Sequence, residues 1–202
     1  MAIVAYEDEL TLRAARDRYF AANEFGPDGG YGASWVKVEL GPIPLAIPNS
    51  AARVRAVRYH DLHHVLTGYD TDILGELEIS AWEIGAGCKD FAAAWVLNLG
   101  GLTAGAMAAP RRTYRAFVRG LRSRTLYGQA YEALLDRSVG DVRAEVGLDA
   151  AREEPSNAGD VARFALAAVA GFVVGMGTLT VALVVSPIAL PTLRVARAAT
   201  SG

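Results

Sequence analysis

Apolar and polar positions change rhythm several times along the chain, and each change predicts an element. Thr11 to Asn23 reads as a first helix, with Thr11 as its cap and Leu12, Ala15, Tyr19 and Phe20 on one face. The FGPDGGYG stretch that follows matches no phosphate-binding glycine fingerprint and reads as turn material. Trp35 to Leu40 alternates, Gly41-Pro42 interrupts, and Ile43 to Ile47 resumes, which predicts a short two-stranded hairpin. Pro44 forbids a central position for the second strand. Pro48-Asn49-Ser50 then caps a helix whose inward stripe is Arg53, Val57, His60 and His64, and Gly68 ends it. Asp72 caps the next.

Further along, Phe91 to Pro110 has no ionisable residue and is rich in Ala, Gly and Leu. It predicts a buried or membrane-facing helix, with Asn98-Leu-Gly-Gly101 as a break that argues against a membrane span. Arg111, Arg112, Arg115, Arg119, Arg122 and Arg124 then surround Tyr114, Phe117, Val118 and Leu121 at helical spacing, a basic amphipathic helix. Arg111, Arg112, Arg115 and Arg119 are its candidate contacts with anionic lipid headgroups; the bland alternative is a solvated face paired with neighbouring acids. Leu126 to Gly147 carries one helix around Tyr131, Leu134 and Leu135 and a shorter one begun near Ser138 or Asp141. The polar run that follows reads as a linker. Phe164 to Leu190 then continues for 27 residues without a charge, more than the roughly 20 that span a bilayer.

These elements make the expected fold mainly α: a helical domain over residues 1–148 with a small N-terminal β-hairpin, a linker over 149–163, a hydrophobic membrane segment over 164–190 and a tail over 191–202. Gly171 and Gly175 give a GxxxG spacing that offers a packing face for a second helix. A single tail anchor is favoured over a hydrophobic hairpin broken at Gly175-Met-Gly177. The arginines on its two sides differ too little to set an orientation. The stretch from Met1 to Glu9 lacks the basic and apolar regions of a secretory signal, which places the catalytic domain in the cytoplasm as an expectation.

Composition narrows the function classes. A net charge of −2 argues against nucleic acid as a partner, and one cysteine, Cys88, excludes an internal disulfide. With 52% hydrophobic residues in 202, the chain has material enough for its own core.

The chemistry concentrates in Arg58 to Glu83, RYHDLHHVLTGYDTDILGELEISAWE, which holds all three histidines. On a helix His60 and His64 share a face and Asp61 flanks it. In a tight antiparallel hairpin Glu76 lies level with His64, so His60, Asp61, His64 and Glu76 converge as candidate ligands of a divalent metal. Glu83 points off the same face about 10 Å deeper, an acid placed to orient a ligating residue or to face the substrate. Burying such a cluster is costly unless a metal or proton chemistry engages it. His63 points about 100° away, to surface or elsewhere. Arg53 is a candidate substrate-binding group for an acidic head, against the plainer reading of a solvated helix-start arginine. The donor set suits Zn, Fe, Co or Mn without choosing among them. The H-x-x-H-H spacing also fits a histidine box of membrane diiron enzymes, but such sites need more histidines than the chain has.

His60-Asp61-x-x-His64, eleven residues, then Glu76 within Ile73-Leu-Gly-Glu76, resembles the HDxxH-x11-E signature of the fourth coenzyme Q biosynthesis protein, the Coq-four family. The similarity extends to Glu83, Tyr131-Glu132 and Glu145-Val-Gly147-Leu148, covers roughly Leu12 to Leu148, and is strongest from Arg53 to Cys88. The resemblance implies a helical, membrane-associated protein handling polyprenylated quinone precursors, with a divalent metal on the motif. It further implies oxidative removal of the ring C1 carboxylate, or organisation of a biosynthetic complex with other quinone-biosynthesis proteins or as a homodimer. On the enzyme reading a metal holds substrate carboxylate and phenolate oxygens while the catalytic carboxylates Glu83 or Asp61 move protons. The alternatives are a scaffold that presents prenyl lipids without catalysis and, more weakly, a metal-dependent hydrolase of phosphorylated isoprenoids. A charge-free C-terminal segment departs from the family's peripheral attachment.

Overall fold

Side-chain caps set the helix boundaries. Thr11 accepts from the Ala14 N–H and starts α1 (Leu12–Ala22), Ser50 accepts from Arg53 and starts α2 (Ala51–Thr67), and Asp72 accepts from Gly75 at 2.7 Å and starts α3 (Ile73–Ala86). Gly68 ends α2 in the left-handed conformation, φ 72°, with its N–H on the His64 carbonyl. The computed structural model describes residues 6–40, 43–148 and 156–200. Between α1 and α2 lies an antiparallel hairpin, β1 (Trp35–Leu40) and β2 (Ile43–Pro48), with Trp35 opposite Pro48; the Gly41-Pro42 turn is outside the described residues. After α3 come α4 (Ala92–Ala108), α5 (Pro110–Leu121), α6 (Tyr131–Leu135), α7 (Val139–Glu145, capped by Ser138) and α8 (Ala158–Thr200). The fold is mainly helical with one small hairpin, as the sequence predicts.

The centre is α3, packed between α4 and α5 around the fully buried Trp82. Glycines let the backbones approach: a Cβ on Gly85 would lie 2.2 Å from the Phe117 carbonyl oxygen, and one on Gly120 2.1 Å from that of Trp82. Gly120→Ala gains about 1 kcal/mol of helix propensity but forces two backbones apart, and overpacking costs typically 1–3 kcal/mol. We expect net destabilisation of about 1–2 kcal/mol, read as a lower denaturation midpoint at unchanged slope.

The basic face of α5 is only partly free. Arg112 pairs with Glu78 through both ends of its guanidinium, and Arg122 pairs with Asp160 at 2.7 Å. Arg119 donates to the Thr67 carbonyl at 3.0 Å, and Arg143 to those of Val65 and Leu66, so two cations satisfy the end of α2. Arg119, expected at a membrane surface, is thus a helix cap. Arg111 and Arg115 stay exposed and without an ion pair among the described residues.

Three expectations change. Helix α4 runs unbroken through Asn98-Leu-Gly-Gly101, and Gly101 serves a close approach: a Cβ there would meet the Ser80 hydroxyl at 2.3 Å. The predicted linker is partly helical: α8 begins at Ala158, where Asn157 and Asp160 each accept from the other's main-chain N–H in a reciprocal cap. Residues 149–155 of that linker lie outside the described residues. Finally, α8 passes Gly175-Met-Gly177 without a break, so the hairpin alternative is not formed. Gly171 and Gly175 instead seat α8 on α4, with a Gly171 Cβ position 2.2 Å from the Leu99 carbonyl oxygen and Thr103 donating to the Ala168 carbonyl at 3.0 Å. Among the described residues Ala158–Gly177 is one span long and apolar enough to cross a membrane, and only 11% of its most apolar window is buried in the protein.

Candidate functional site

The i, i+4 spacing of His60 and His64 on α2 and the turn through Gly68 to Asp72 bring Glu76, in the first turn of α3, over both imidazoles. The ligating atoms of His60, His64 and Glu76 all lie within 4.8 Å of one another. His60 Nε2 is 3.4 Å from Glu76 Oε2, His64 Nε2 is 3.3 Å from Glu76 Oε1, and the two Nε2 atoms are 3.2 Å apart. Glu76, half exposed, forms the open side of the group, and His64 is buried, stacked on Tyr19.

Hydrogen bonds at the other ring nitrogens settle which atoms face inward. His64 Nδ1 donates to the Tyr69 carbonyl at 3.0 Å and His60 Nδ1 donates to Glu83 Oε1 at 2.9 Å. Each ring therefore turns Nε2 toward the other and toward Glu76. Two lone pairs at that separation repel unless a proton or a cation lies between them. Burial works against an imidazolium at His60, yet Glu83 and Glu76 outweigh it and hold its pKa well above the ordinary value. Burial would likewise raise Glu76, but hydrogen bonds from His60 and His64 pull its carboxyl well below the carboxylate range. The group is built to hold positive charge, and its N,N,O donor set suits a divalent cation with positions left open for a ligand.

Glu83 is fully buried and surrounded by donors. His60 and His63 reach Oε1 at 2.9 and 2.7 Å; Tyr127 reaches Oε2 at 2.6 Å, and Asn98 also donates to Oε2. Four donors fill the lone-pair positions of one carboxylate. Burial alone would raise its pKa, but the histidines hold it far below the usual range. Glu83 is therefore placed to orient the histidines it holds. His63, read from sequence as surface or elsewhere, is completely buried. It accepts from the Leu126 N–H at Nε2, so its proton sits on Nδ1 and points at Glu83. Burial, the larger effect, lowers its pKa and keeps it neutral.

Asp61 lies outside the trio whose ligating atoms fall within 4.8 Å of one another. Its buried carboxylate accepts from the Tyr31 hydroxyl at 2.5 Å. Asp61 and Arg53 line, with His60, a cavity of about 850 Å³. Its walls are mostly apolar and aromatic, with Tyr19, Phe25, Trp35, Val57 and Leu97 among the lining residues beside the polar Glu76 and Asn98. Arg53 donates to Asn49 at 2.7 Å and has no carboxylate in ion-pair range among the described residues. Burial lowers its pKa, with Asp61 acting in the other direction.

Residues 51–152 match the family model described as Coenzyme Q (ubiquinone) biosynthesis protein Coq4. The chain belongs to that family. Membership gives it a role in coenzyme Q biosynthesis, and the matched span contains His60, His64, Glu76 and Glu83. No curated protein and no solved structure matches the chain. Within this Coq4 site the sequence reading missed Tyr31, His63, Asn98 and Tyr127. Asn98 carried a signal: an amide in an otherwise uncharged helix needs a buried partner. Tyr31 and Tyr127 carried none, because the loops that deliver them have no periodicity.

Proposed function

We propose that the protein binds a polyprenylated hydroxybenzoate precursor of coenzyme Q and replaces its ring C1 carboxylate by a hydroxyl. The observation that carries this reading is the pair of imidazole Nε2 atoms 3.2 Å apart beside Glu76, with His60 and Glu76 lining a largely apolar cavity. His60, His64 and Glu76 would hold a divalent ion, which when bound supplies Lewis-acid polarisation of a ring-carboxylate oxygen. Glu83 fixes the His60 ring, and Tyr69 the His64 ring, so neither imidazole has to reorganise. Arg53 turns donors not used by Asn49 toward an anionic head, and the aromatic walls exclude water from the ring. The overall change is one ring acid with dioxygen and a two-electron reductant, giving the phenol, carbon dioxide and water.

The tail and the membrane belong to the same reading. Leu166, Val169, Phe172, Val173 and Met176 project from α8 at 51–72% exposure, on a helix seated against α4, whose Ala94, Leu97 and Asn98 line the cavity. A bilayer is the apolar phase this face fits, with α8 as a membrane anchor and the exposed Arg111 and Arg115 among the headgroups. The size and apolar lining of the cavity also favour a second reading, a scaffold that presents prenyl lipids to other biosynthetic proteins.

The test is elemental analysis and lipid mass spectrometry on the full chain purified from membranes, followed by incubation with a prenylated hydroxybenzoate, dioxygen and reductant. Stoichiometric metal and conversion to the phenol are expected. Bound prenyl lipid with neither metal nor conversion would leave the scaffold.

A further inference from the structure

A second, smaller cavity is walled by the α3–α4 loop, the segment between α5 and α6, and the end of α7. Its volume is about 290 Å³, and Lys89, Arg124, Thr125, Gln129 and Glu145 are among its lining residues. None of these lines the cavity beside the histidines. Both loops bend to bring Lys89 beside the segment after α5. Lys89 takes φ 46°, a costly conformation for a residue with a side chain, and the Trp95 indole N–H holds its carbonyl at 2.9 Å. Gly128 takes φ 83° and leaves its open side to the lysine stem: a Cβ there would lie 3.4 Å from Lys89 Cδ and 3.6 Å from Nζ. The Lys89 ammonium therefore sits against the loop that carries Arg124, Thr125 and Gln129.

Donors and acceptors around this cavity are out of balance. The Lys89 carbonyl accepts from Trp95, that of Gln129 from the Tyr59 hydroxyl at 2.7 Å, that of Glu145 from Arg124 at 2.5 Å and that of Val146 from the Arg124 N–H at 2.8 Å. Glu145 gives Oε2 to Arg137 at 2.5 Å, so its charge is already matched. Donors are left over. The Lys89 ammonium and the Gln129 side-chain amide have no partner among the described residues, and Arg124 spends only Nη2 of its guanidinium. Thr125 is 4% exposed. Its Oγ1 accepts from the Tyr127 N–H at 3.2 Å, and the His63 nitrogen 3.5 Å away already accepts from the Leu126 N–H, which leaves the hydroxyl proton for a ligand. Two cations and a buried hydroxyl around one small cavity, with the neighbouring acceptors spent, select an oxyanion.

We propose that this cavity binds a phosphate monoester, with Lys89 and Arg124 matching its charge and Thr125 and Gln129 donating to its remaining oxygens. A monoester carries about −1.5 to −2 charges at neutral pH and three free oxygens, which suits two cations and donors arriving from two loops better than a singly charged carboxylate does. Such a group reaches the protein as a soluble phosphorylated metabolite or as the headgroup of a phosphatidic-acid-like lipid. The lipid source is within reach because Arg122, close to Arg124 in the chain, pairs with Asp160 in the first turn of α8, where the apolar span Ala158–Gly177 begins. The site is independent of the metal-binding group and of the function proposed above.

The test titrates inorganic phosphate into the full-length protein in phosphatidylcholine vesicles and follows binding by calorimetry at constant ionic strength. Chelator is present so that no cation at His60 and His64 holds the anion. Wild type is expected to take up one phosphate saturably, with excess chloride unable to displace it. Lys89→Gln, which removes an exposed charge without a protein partner, weakens binding roughly 10- to 100-fold, the range of one hydrogen bond to a charged group, and Arg124→Gln does the same. Lys89→Arg keeps the charge and keeps the binding. Vesicles that include phosphatidic acid separate the two sources. Displacement of phosphate by that lipid, and not by the phosphodiester phosphatidylglycerol, assigns the site to a headgroup; undiminished phosphate binding assigns it to a soluble monoester. The proposal is overturned by an absence of saturable phosphate binding, by equal affinity in wild type, Lys89→Gln and Arg124→Gln, or by displacement by both lipids alike.

Discussion

On the proposed function, His64→Ala is expected to abolish stoichiometric metal binding and, with it, turnover. His64 supplies one of three ligating atoms, and its Nε2 faces the group because Nδ1 is spent on the Tyr69 carbonyl. Loss of a partner that merely orients a ligand costs about 10- to 100-fold in metal affinity. Loss of the ligand itself should exceed that, two orders of magnitude or more in a zinc(II) or cobalt(II) titration. Binding also stabilises the fold, by about 4 kcal/mol when free cation is a thousandfold above Kd. Wild type should therefore melt higher with cation than with chelator, and His64→Ala should lose that difference. Because His64 is buried against Tyr19, Glu76→Gln serves as the companion variant. Its side chain is 45% exposed, so little packing is disturbed while the charged ligand is removed. Metal retained at full occupancy in both variants would refute the site.

Glu83→Ala should be the most destabilising single change in the helical core. Truncation leaves His60, His63, Asn98 and Tyr127 donating into an apolar void with no acceptor. Breaking a buried charged network from one side costs about 3–5 kcal/mol, and for a chain of this size that lowers the melting temperature by roughly 8–16 °C. The same carboxylate sets an acid limb. Its folded pKa is depressed, so its contribution is present above the unfolded value of about 4.3 and is lost as pH falls toward the folded one. His60 has the opposite sign: its raised folded pKa gives stability that is full below about 6.5 and disappears as pH rises through the folded value. Metal-free wild type should thus be most stable on the mildly acidic side of neutrality, and Glu83→Ala should flatten both limbs. Urea denaturation of chelator-treated protein across pH 3–9 measures both effects.

Much of the helical layout was legible because local signals agreed with one another. Thr11, Ser50, Asp72 and Ser138 cap the helices expected of them, and Gly68 takes the left-handed turn that ends α2. The linker over 149–163 was misread in part because Asn157 and Asp160 look like loop residues until they are seen capping each other. Asn98-Leu-Gly-Gly101 reads as a break because helix propensity takes no account of the Ser80 side chain that makes Gly101 useful. Arg119 carried a membrane reading in sequence, yet in three dimensions it completes the end of the motif helix.

For the site the division is sharper. Spacing alone placed His60 and His64 on one face, since four residues make about one helical turn, and the length of the turn brought Glu76 level with them. Which nitrogen each ring turns inward was beyond the sequence, because it depends on a carbonyl at Tyr69 and a carboxylate at Glu83 reaching the opposite edge. The different fates of two acidic residues were equally hidden. Glu83 is saturated by donors from three separate parts of the chain, and Asp61 is claimed by a loop tyrosine 30 residues earlier. A periodic pattern can align side chains within one helix, but the protonation and availability of a buried group depend on whatever distant segment packs against it.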